Sequence, residues 1–354
     1  MQEEVDYLIV GQGLGGTFLS RALLNAGCSI RVFDAPSPFS STKVASGVIN
    51  PVTGRRLVRT WEIETLMPFA VNAYSAIGNE INQPLIRQCN IIDFHPTAQM
   101  QLAFEERIPE EKEYLRIPQQ LEQWRKFFEY PFGLGETNPC WLIDLHAMLK
   151  GWRRLLAERQ CLQEEWLDVS QVVLEGIAVT YKGYKAKAVI FCDGVQGFTN
   201  PWFQLLPYAR NKGEALIVQI PDLPRNYIYK QGINIIPWRG PDLFWIGSSY
   251  EWDFADTLPS VHFRQKTETQ LQRWLKLPYT IVDHLAAERP ANLERRPFVG
   301  LHPLHPQIGI LNGFGTKGCT LAPYFAQQLC DYLIQEKPIH PQADLRRFTR
   351  ILSR

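Results

Sequence analysis

The chain has 354 residues, 45% of them hydrophobic and 21% charged, a balance that supports an ordinary globular core and argues against bulk disorder. Its net charge of +1 supplies no global field for nucleic acid or an anionic membrane, and no apolar run approaches the roughly 18 residues that a bilayer span needs. Seven dispersed cysteines without a Cys-x-x-Cys pattern read as small buried residues in a reducing compartment. Gln2-Glu3-Glu4 runs straight into an apolar stretch, so no signal peptide is read and the cytoplasm is the default expectation.

The first forty residues organise the rest. Val5 to Val10 is an apolar run, followed at once by Gly11-Gln12-Gly13-Leu14-Gly15-Gly16, a helical pattern from Thr17 to Ala26, and a second apolar run from Ser29 to Phe33 that ends at Asp34. Strand, glycine-rich turn, helix, strand and acid in that order point to a dinucleotide-binding βαβ unit. Gly11 permits the tight turn, Gly13 lets the backbone approach a pyrophosphate, and Gly16 lets the helix pack on the strand. The helix N-terminus aims unpaired N–H groups at the phosphates. Asp34 follows Gly11 by 23 residues, near the offset of about 20 at which a carboxylate meets ribose hydroxyls. The same carboxylate would repel the 2′-phosphate of NADP.

Ala35 to Gly47 is rich in Ser, Pro and Gly and reads as a loop at the carboxyl end of the strands. Ser40, Ser41, Thr42 and Ser46 offer hydroxyls there. Asn50 to Arg56 is a second turn, whose Arg55 and Arg56 either reach a bound anion or form a solvated basic turn. Helices are expected over Trp61 to Ile77, Ala98 to Leu115 and Gln119 to Tyr130, with a β-like run over Pro84 to His95. Trp141 to Asp144 is extended. Asp144 is an N-cap candidate for a helix over Leu145 to Arg159. Lys150, Arg153 and Arg154 read as the solvated face of that helix.

From Gln163 the period changes. Gln163 to Leu167, Val172 to Lys182 and Ala186 to Cys192 read as strands, the last apolar throughout and ending in Asp193-Gly194. Residues 200 to 255 look like an antiparallel sheet with strands over Ala215 to Ile220, Tyr227 to Gln231, Asn234 to Pro237 and Leu243 to Gly247. An amphipathic helix is expected over Leu258 to Leu277. Ile308 to Leu311 is a short strand running into Asn312-Gly313-Phe314-Gly315-Thr316-Lys317-Gly318 and a helix over Leu321 to Gln335, which offers a second helix N-terminus for negative charge. His302-x-x-His305 lacks a third ligand, so no metal site is expected.

Five separated segments together make the chain resemble the D-amino-acid oxidase-like family of FAD-dependent oxidoreductases. They are Gly11/Gly13/Gly16 with Asp34; Ala45-Ser46-Gly47; Cys192-Asp193-Gly194; Glu288-Arg289-Pro290 before Pro297-Phe298-Val299-Gly300; and Gly313 to Gly318. The resemblance implies an α/β fold with an α+β cap: a Rossmann-like FAD-binding domain (1–80, 142–202 and 289–354) and a discontinuous mixed-sheet substrate domain (81–141 and 203–288). It implies FAD held without a covalent bond by Gly11, Gly13, Leu14, Gly15, Gly16, Asp34, Ala35, Ser41, Thr42, Ala45, Ser46, Gly47, Val169, Cys192, Asp193, Gly194, Gly313, Gly315, Thr316, Lys317, Gly318 and Cys319. Arg289 matches the arginine that binds a substrate carboxylate, a role that a guanidinium fork suits; a structural salt bridge is the alternative for it. Tyr250 and Lys317 join it as catalytic candidates.

The chain departs from glycine oxidase, which has an arginine where Thr316 stands. The implied chemistry is hydride transfer from a C–H beside nitrogen to flavin N5, on a small amine or amino acid, with no nucleic-acid partner. A flavin-dependent tRNA-modifying oxidase and a non-catalytic FAD-binding protein are the competing readings, and an NAD-dependent dehydrogenase is a weaker one.

Overall fold

The computed structural model describes residues 2–37, 40–54 and 56–354. Strand β1 (Glu3–Val10) enters the glycine turn, helix α1 (Leu14–Asn25) follows, and β2 (Ile30–Phe33) returns. The serine-rich loop contains one helical turn, α2 (Ser41–Val44), before β3 (Val48–Ile49), the hairpin β4 (Val52–Thr53) and β5 (Val58–Arg59), and α3 (Ile63–Glu80). Next come β6 (Ile86–Gln88), β7 (Asn90–Phe94), α4 (Ala98–Arg107), β8 (Leu115–Arg116), β9 (Leu134–Thr137), β10 (Trp141–Ile143) and α5 (Leu145–Glu158). Short strands β11 (Leu162–Gln163), β12 (Val173–Glu175) and β13 (Ala178–Tyr181) precede β14 (Tyr184–Phe191). The run β15 (Asn211–Gln219), β16 (Tyr227–Gln231), β17 (Ile233–Pro237) and β18 (Leu243–Gly247) leads to α6 (Val261–Trp274) and β19 (Thr280–Arg289). The chain closes with β20 (Phe298–Leu301), β21 (Ile308–Asn312), α7 (Gly318–Gln335) and α8 (Thr349–Leu352).

Two eight-stranded sheets carry the molecule. The first runs β11-β2-β1-β14-β13-β12, with β21 also on β14 and β20 on β21. Its strands β11, β2, β1, β14 and β21 are parallel. They are apolar because helices or other chain cover both faces: Leu8, Ile9, Val32, Val189 and Ile190 have no exposed surface. The second sheet runs β19-β15-β18-β17-β16-β7-β9-β8. The chain passes from the first sheet to the second, back, out and back again, four crossings in all by the order β1–β2, β7–β9, β11–β14, β15–β19, β20–β21.

Alternation divides the second sheet into two faces. Ile92, Phe94, Tyr229, Ile235, Phe244 and Ile246 pack with Trp124, Phe128 and Trp274 in an aromatic core. Ile91, Ile228, Ile236 and Trp245 face the other way, toward the first sheet, with Leu142 and Cys140. The Trp245 indole donates to the Val44 carbonyl at 2.9 Å, bracing the second sheet against α2.

Several expectations are corrected. Gln119 to Tyr130 is no helix: it holds only one 3-10 turn, Glu122–Trp124. Trp124, Phe127, Phe128 and Tyr130 are all buried in the aromatic core, and no single helix face presents all four. The helix starting at Ala98 stops at Arg107, just before Ile108-Pro109, where proline disfavours further turns. Gln163 to Leu167 leaves the sheet after Gln163, its Glu164 and Glu165 pairing with Arg153 and Lys182. The 200–255 region is not wholly antiparallel, since β16 pairs in parallel with β7. The ten residues of β19 are a strand where no element was expected. They pair along the length of β15, with a bulge at Ile217/Val218, so tertiary pairing overrides a sequence rich in Ala and charge. The expected cap is present: Asp144 accepts from the Ala147 N–H at 2.8 Å. Among the described residues, no helix is long and apolar enough to cross a membrane.

Candidate functional site

The carboxyl ends of four parallel strands open onto one cavity of about 1870 Å³ between the two sheets. β1 delivers Gly11, β2 delivers Asp34, β14 delivers Cys192-Asp193-Gly194 and β21 delivers Gly313. β1 lies between β2 and β14, so the cavity sits where chain direction across the sheet reverses, the position at which open α/β sheets bind ligands.

Of the sequence-predicted residues, Gly11, Gly13, Leu14, Gly15, Asp34, Ala35, Ser41, Thr42, Ala45, Ser46, Val169, Cys192, Asp193, Gly194, Gly313, Gly315, Thr316, Lys317, Gly318 and Cys319 line this cavity, as do Tyr250 and Arg289. Gly16 and Gly47 lie behind the wall. A Cβ on Gly16 would fall 1.8 Å from the Gly11 carbonyl oxygen, and one on Gly47 would fall 2.2 Å from the Ile143 oxygen. Their work is close backbone packing rather than ligand contact. Arg55 lies outside the described residues; Arg56 lines the cavity and is exposed.

The first glycine turn is shaped for a pyrophosphate. Gly11 has φ +93°, and a Cβ there would meet the Cys192 oxygen at 2.6 Å. Gly13, the N-cap of α1, brings no side chain to the first N–H groups; Leu14 N–H makes a long 3.4 Å bond to Thr42 Oγ1, and the N–H groups that follow are open to an anion. The Asp34 carboxylate is held in place, accepting from Gln12 N–H at 2.8 Å and from Arg153 Nη1 at 2.6 Å.

Arg153 is therefore no solvated edge residue. It also donates to the Asp34 carbonyl at 2.8 Å, pairs with Glu164 at 2.8 Å and lines the cavity beside Lys150. Arg154 does face solvent. The missed signal was positional, because Arg153 sits one helical turn after the cavity-lining Leu149. Asp193 accepts from Asn312 at 3.0 Å and from Asn200 at 3.3 Å, and burial raises its pKa to about 6.

The second glycine turn opens α7, whose N-cap Lys317 likewise brings no side-chain cap. Lys317 Nζ donates to Asn50 Oδ1 at 3.0 Å, and burial pushes its pKa down to about 8. Uncapped helix ends thus meet the cavity at both glycine turns. Such ends suit a dinucleotide with an anionic centre and a ring that becomes anionic on reduction.

A model of the DAO family, described as FAD dependent oxidoreductase, matches residues 6–332. The chain belongs to the DAO family of FAD-dependent oxidoreductases. As a DAO-family chain it is similar across its length to solved structures at low identity. Glycine oxidase from Geobacillus kaustophilus superposes with a TM-score of 0.78 at 16% identity, covering 95% of this chain and 96% of that one. L-proline dehydrogenase from P. horikoshii gives 0.76 at 14%, covering 99% of each chain. L-Amino acid deaminase from Proteus myxofaciens, in complex with anthranilate, gives 0.76 at 15%, covering 98% and 94%. FAD is the family cofactor, and the glycine cradle, fixed Asp34 and uncapped helix ends fit it.

The wall of this cavity opposite the glycine turns is built by the second sheet. Arg289 ends β19 and is half-buried. Its guanidinium donates to Asn211 Oδ1, to the Lys212 carbonyl at 3.4 Å and to the Ser249 carbonyl at 3.2 Å from each of Nη1 and Nη2. The Tyr250 ring lies 4.6 Å from the guanidinium carbon. Every acceptor is neutral, so the salt-bridge alternative finds no carboxylate among the described residues; the neighbouring Glu288 pairs with Arg210 at 2.5 Å instead. Burial pushes the Arg289 pKa down. Gly213 makes the arrangement possible, since a Cβ there would lie 1.9 Å from Arg289 Nη2. Sequence reading found the arginine and missed the glycine beneath it, because the contact spans the β15–β19 pair.

Proposed function

We propose that this chain oxidises the C–N bond of a small amine or amino acid bearing a carboxylate. The observation that carries the reading is Arg289: a half-buried cation on the cavity wall, with hydrogen bonds only to neutral acceptors. An incoming carboxylate supplies the missing counter-charge and accepts a bidentate pair of bonds. Tyr250, stacked on the same guanidinium, restricts its orientation and shields the pair from water.

FAD, when bound, supplies a two-electron acceptor for hydride from the carbon beside nitrogen. The chain supplies placement. Gly11, Gly13 and the start of α1 would hold the pyrophosphate, and Asp34, kept in position by Gln12 and Arg153, would take ribose hydroxyls. Val169 and the Cys192–Gly194 turn would flank the adenosine half. The turn from Gly313 to Cys319 and the loop Ala45-Ser46 would enclose the flavin half without a covalent bond. The start of α7 puts positive charge beside it. The first sheet with its helices forms the cofactor-binding part, the second sheet the substrate part, with the division falling near residues 80, 142, 202 and 289.

The test is an absorption spectrum of the holoprotein during anaerobic addition of amino acids and N-methyl amines. Bleaching of the flavin bands by one class is expected. Arg289→Ala should retain FAD while losing reduction by carboxylate-bearing substrates at least 30-fold, since truncating one partner of a buried charge pair costs about 2–5 kcal/mol. A wild-type flavin that no amine reduces would refute the reading.

A further inference from the structure

The cavity holds more cations than one carboxylate uses. Arg289, Arg296 and Lys317 all line it, all are half-buried, and none has a carboxylate at ion-pair distance among the described residues. Arg296 donates to Gln342 Oε1 at 3.0 Å and to the Arg295 carbonyl at 3.1 Å, and its guanidinium carbon lies 4.2 Å from the centre of the Trp61 ring. Lys317 has Asn50 Oδ1. Most nearby acids are committed elsewhere: Glu111 and Glu64 to Arg59, Glu294 to Arg347, Glu288 to Arg210. The exposed Glu62 acts on Arg296 through space but makes no ion pair with it. The thiols closest to Lys317 are no counter-charge either, since burial raises Cys140 and pushes Cys319 up to about 12.

The three cations belong to one laced structure. Gly315 N–H donates to the Pro290 carbonyl at 3.0 Å, tying the Arg289 loop to the glycine turn that carries Lys317. Asn292 Nδ2 donates to the Gly313 carbonyl at 2.8 Å and to the Arg296 carbonyl at 2.7 Å, fixing the same loop at its other end. Lys317 bonds Asn50, whose carbonyl accepts from Thr60 Oγ1 at 3.3 Å, next to Trp61 and so to Arg296. The path closes on itself around one end of the cavity. Burial pushes the pKa of each of the three down, a desolvation cost that an anionic ligand offsets.

We infer that this ring selects a substrate with two anionic groups, one carboxylate on Arg289 and a second acid on Arg296 and Lys317, so that the substrate class is an acidic amino acid or an amine flanked by two carboxylates. This rests on the proposed oxidation of a carboxylate-bearing amine, and the test separates the two. Inert acids are titrated into the FAD-loaded protein and read by perturbation of the flavin bands: succinate, glutarate and adipate against butyrate, valerate and hexanoate. At least one dicarboxylate should bind ten times or more tighter than its length-matched monoacid. Arg296→Gln and, separately, Lys317→Gln should each shrink that ratio, while Arg289→Gln weakens both acids. In the turnover arm, aspartate or glutamate should reduce the flavin faster than asparagine or glutamine.

Equal affinities across each wild-type pair would overturn the inference, as would a ratio that survives in both ring variants. Tight dicarboxylates with no amine reducing the flavin would leave the subsite standing and sink the oxidase reading. Rapid reduction by monoacidic amines with no preference for dicarboxylates would do the reverse.

Discussion

Removing the Asp34 carboxylate tests the cofactor half of the site, because its two structural duties can be separated from its duty to the ligand. In Asp34→Ala, the Gln12 N–H loses its acceptor and Arg153 loses one of two carboxylate partners. Arg153 keeps Glu164 and the residue-34 carbonyl, and the Asp34–Arg153 pair is about one-fifth exposed at each side chain (23% and 22%). A partly exposed pair is worth about 1 kcal/mol or less. The fold should therefore lose only a few degrees in Tm. The ligand loses more, since hydrogen bonds to a charged acceptor contribute about 1.5–3 kcal/mol. That converts to a rise in the FAD Kd of roughly 10- to 100-fold. The assay is titration of the cofactor-free protein with FAD, followed by flavin fluorescence, with a thermal melt of the same preparation. A Kd within threefold of wild type, alongside an intact melt, would refute the ribose role of Asp34.

Three further outcomes follow from the geometry. Gly213→Ala should push the Arg289 guanidinium off its seat without altering the arginine, so KM for carboxylate-bearing substrates should rise at least tenfold while FAD content stays at wild-type level; unchanged KM would count against the flat packing of Arg289 on β15. Burial lowers Lys317 from an ordinary 10.5 to about 8, so in the cofactor-free protein the unfolded chain holds this proton more tightly than the folded one. Stability should then rise with pH between about 8 and 10.5, and Lys317→Met should flatten that rise in urea melts taken across the window. Trp245→Phe leaves the buried Val44 carbonyl without its indole donor, a loss of about 1–3 kcal/mol, and should speed FAD release in stopped-flow exchange by loosening α2.

Sequence reading recovered what local chemistry specifies. The β1–α1–β2 unit, the strand ending at Cys192-Asp193-Gly194 and the turn opening α7 each carry their glycine requirement within a few consecutive residues, and each lines the cavity. The Asp144 cap was legible for the same reason. What was not legible depends on partners far along the chain. The strand character of β19 comes from β15, some seventy residues earlier. Arg153 looked like a surface cation because only the folded chain brings Asp34 and Glu164 to it. The stretch from Gln119 to Tyr130 has an aromatic spacing that suits a helix over three positions, but all four rings are drawn into one core shared with Trp274. Arg289 could be named in advance; that it meets no carboxylate could not, since that is a fact about where the acids went.

The alternation of the chain between its two sheets bears on how ligands get in and out. Hinged enzymes commonly open about one or two connecting strands of polypeptide, which bend while two rigid bodies swing apart. Here four connections would have to bend together, and the Trp245–Val44 bond crosses the same gap as a brace. Wide swinging of one half against the other is thereby blocked, and traffic is left to the rim. One part of that rim is the segment from Ser248 to Ser260, which contributes exposed Tyr250, Trp252 and Leu258 to the cavity and is moored at its end where the buried Glu214 carboxylate accepts from Ser260 N–H and Oγ. Cutting that mooring with Glu214→Gln would alter how fast ligands exchange while leaving the two halves locked together, so the molecule behaves as a fixed vessel with a movable lip.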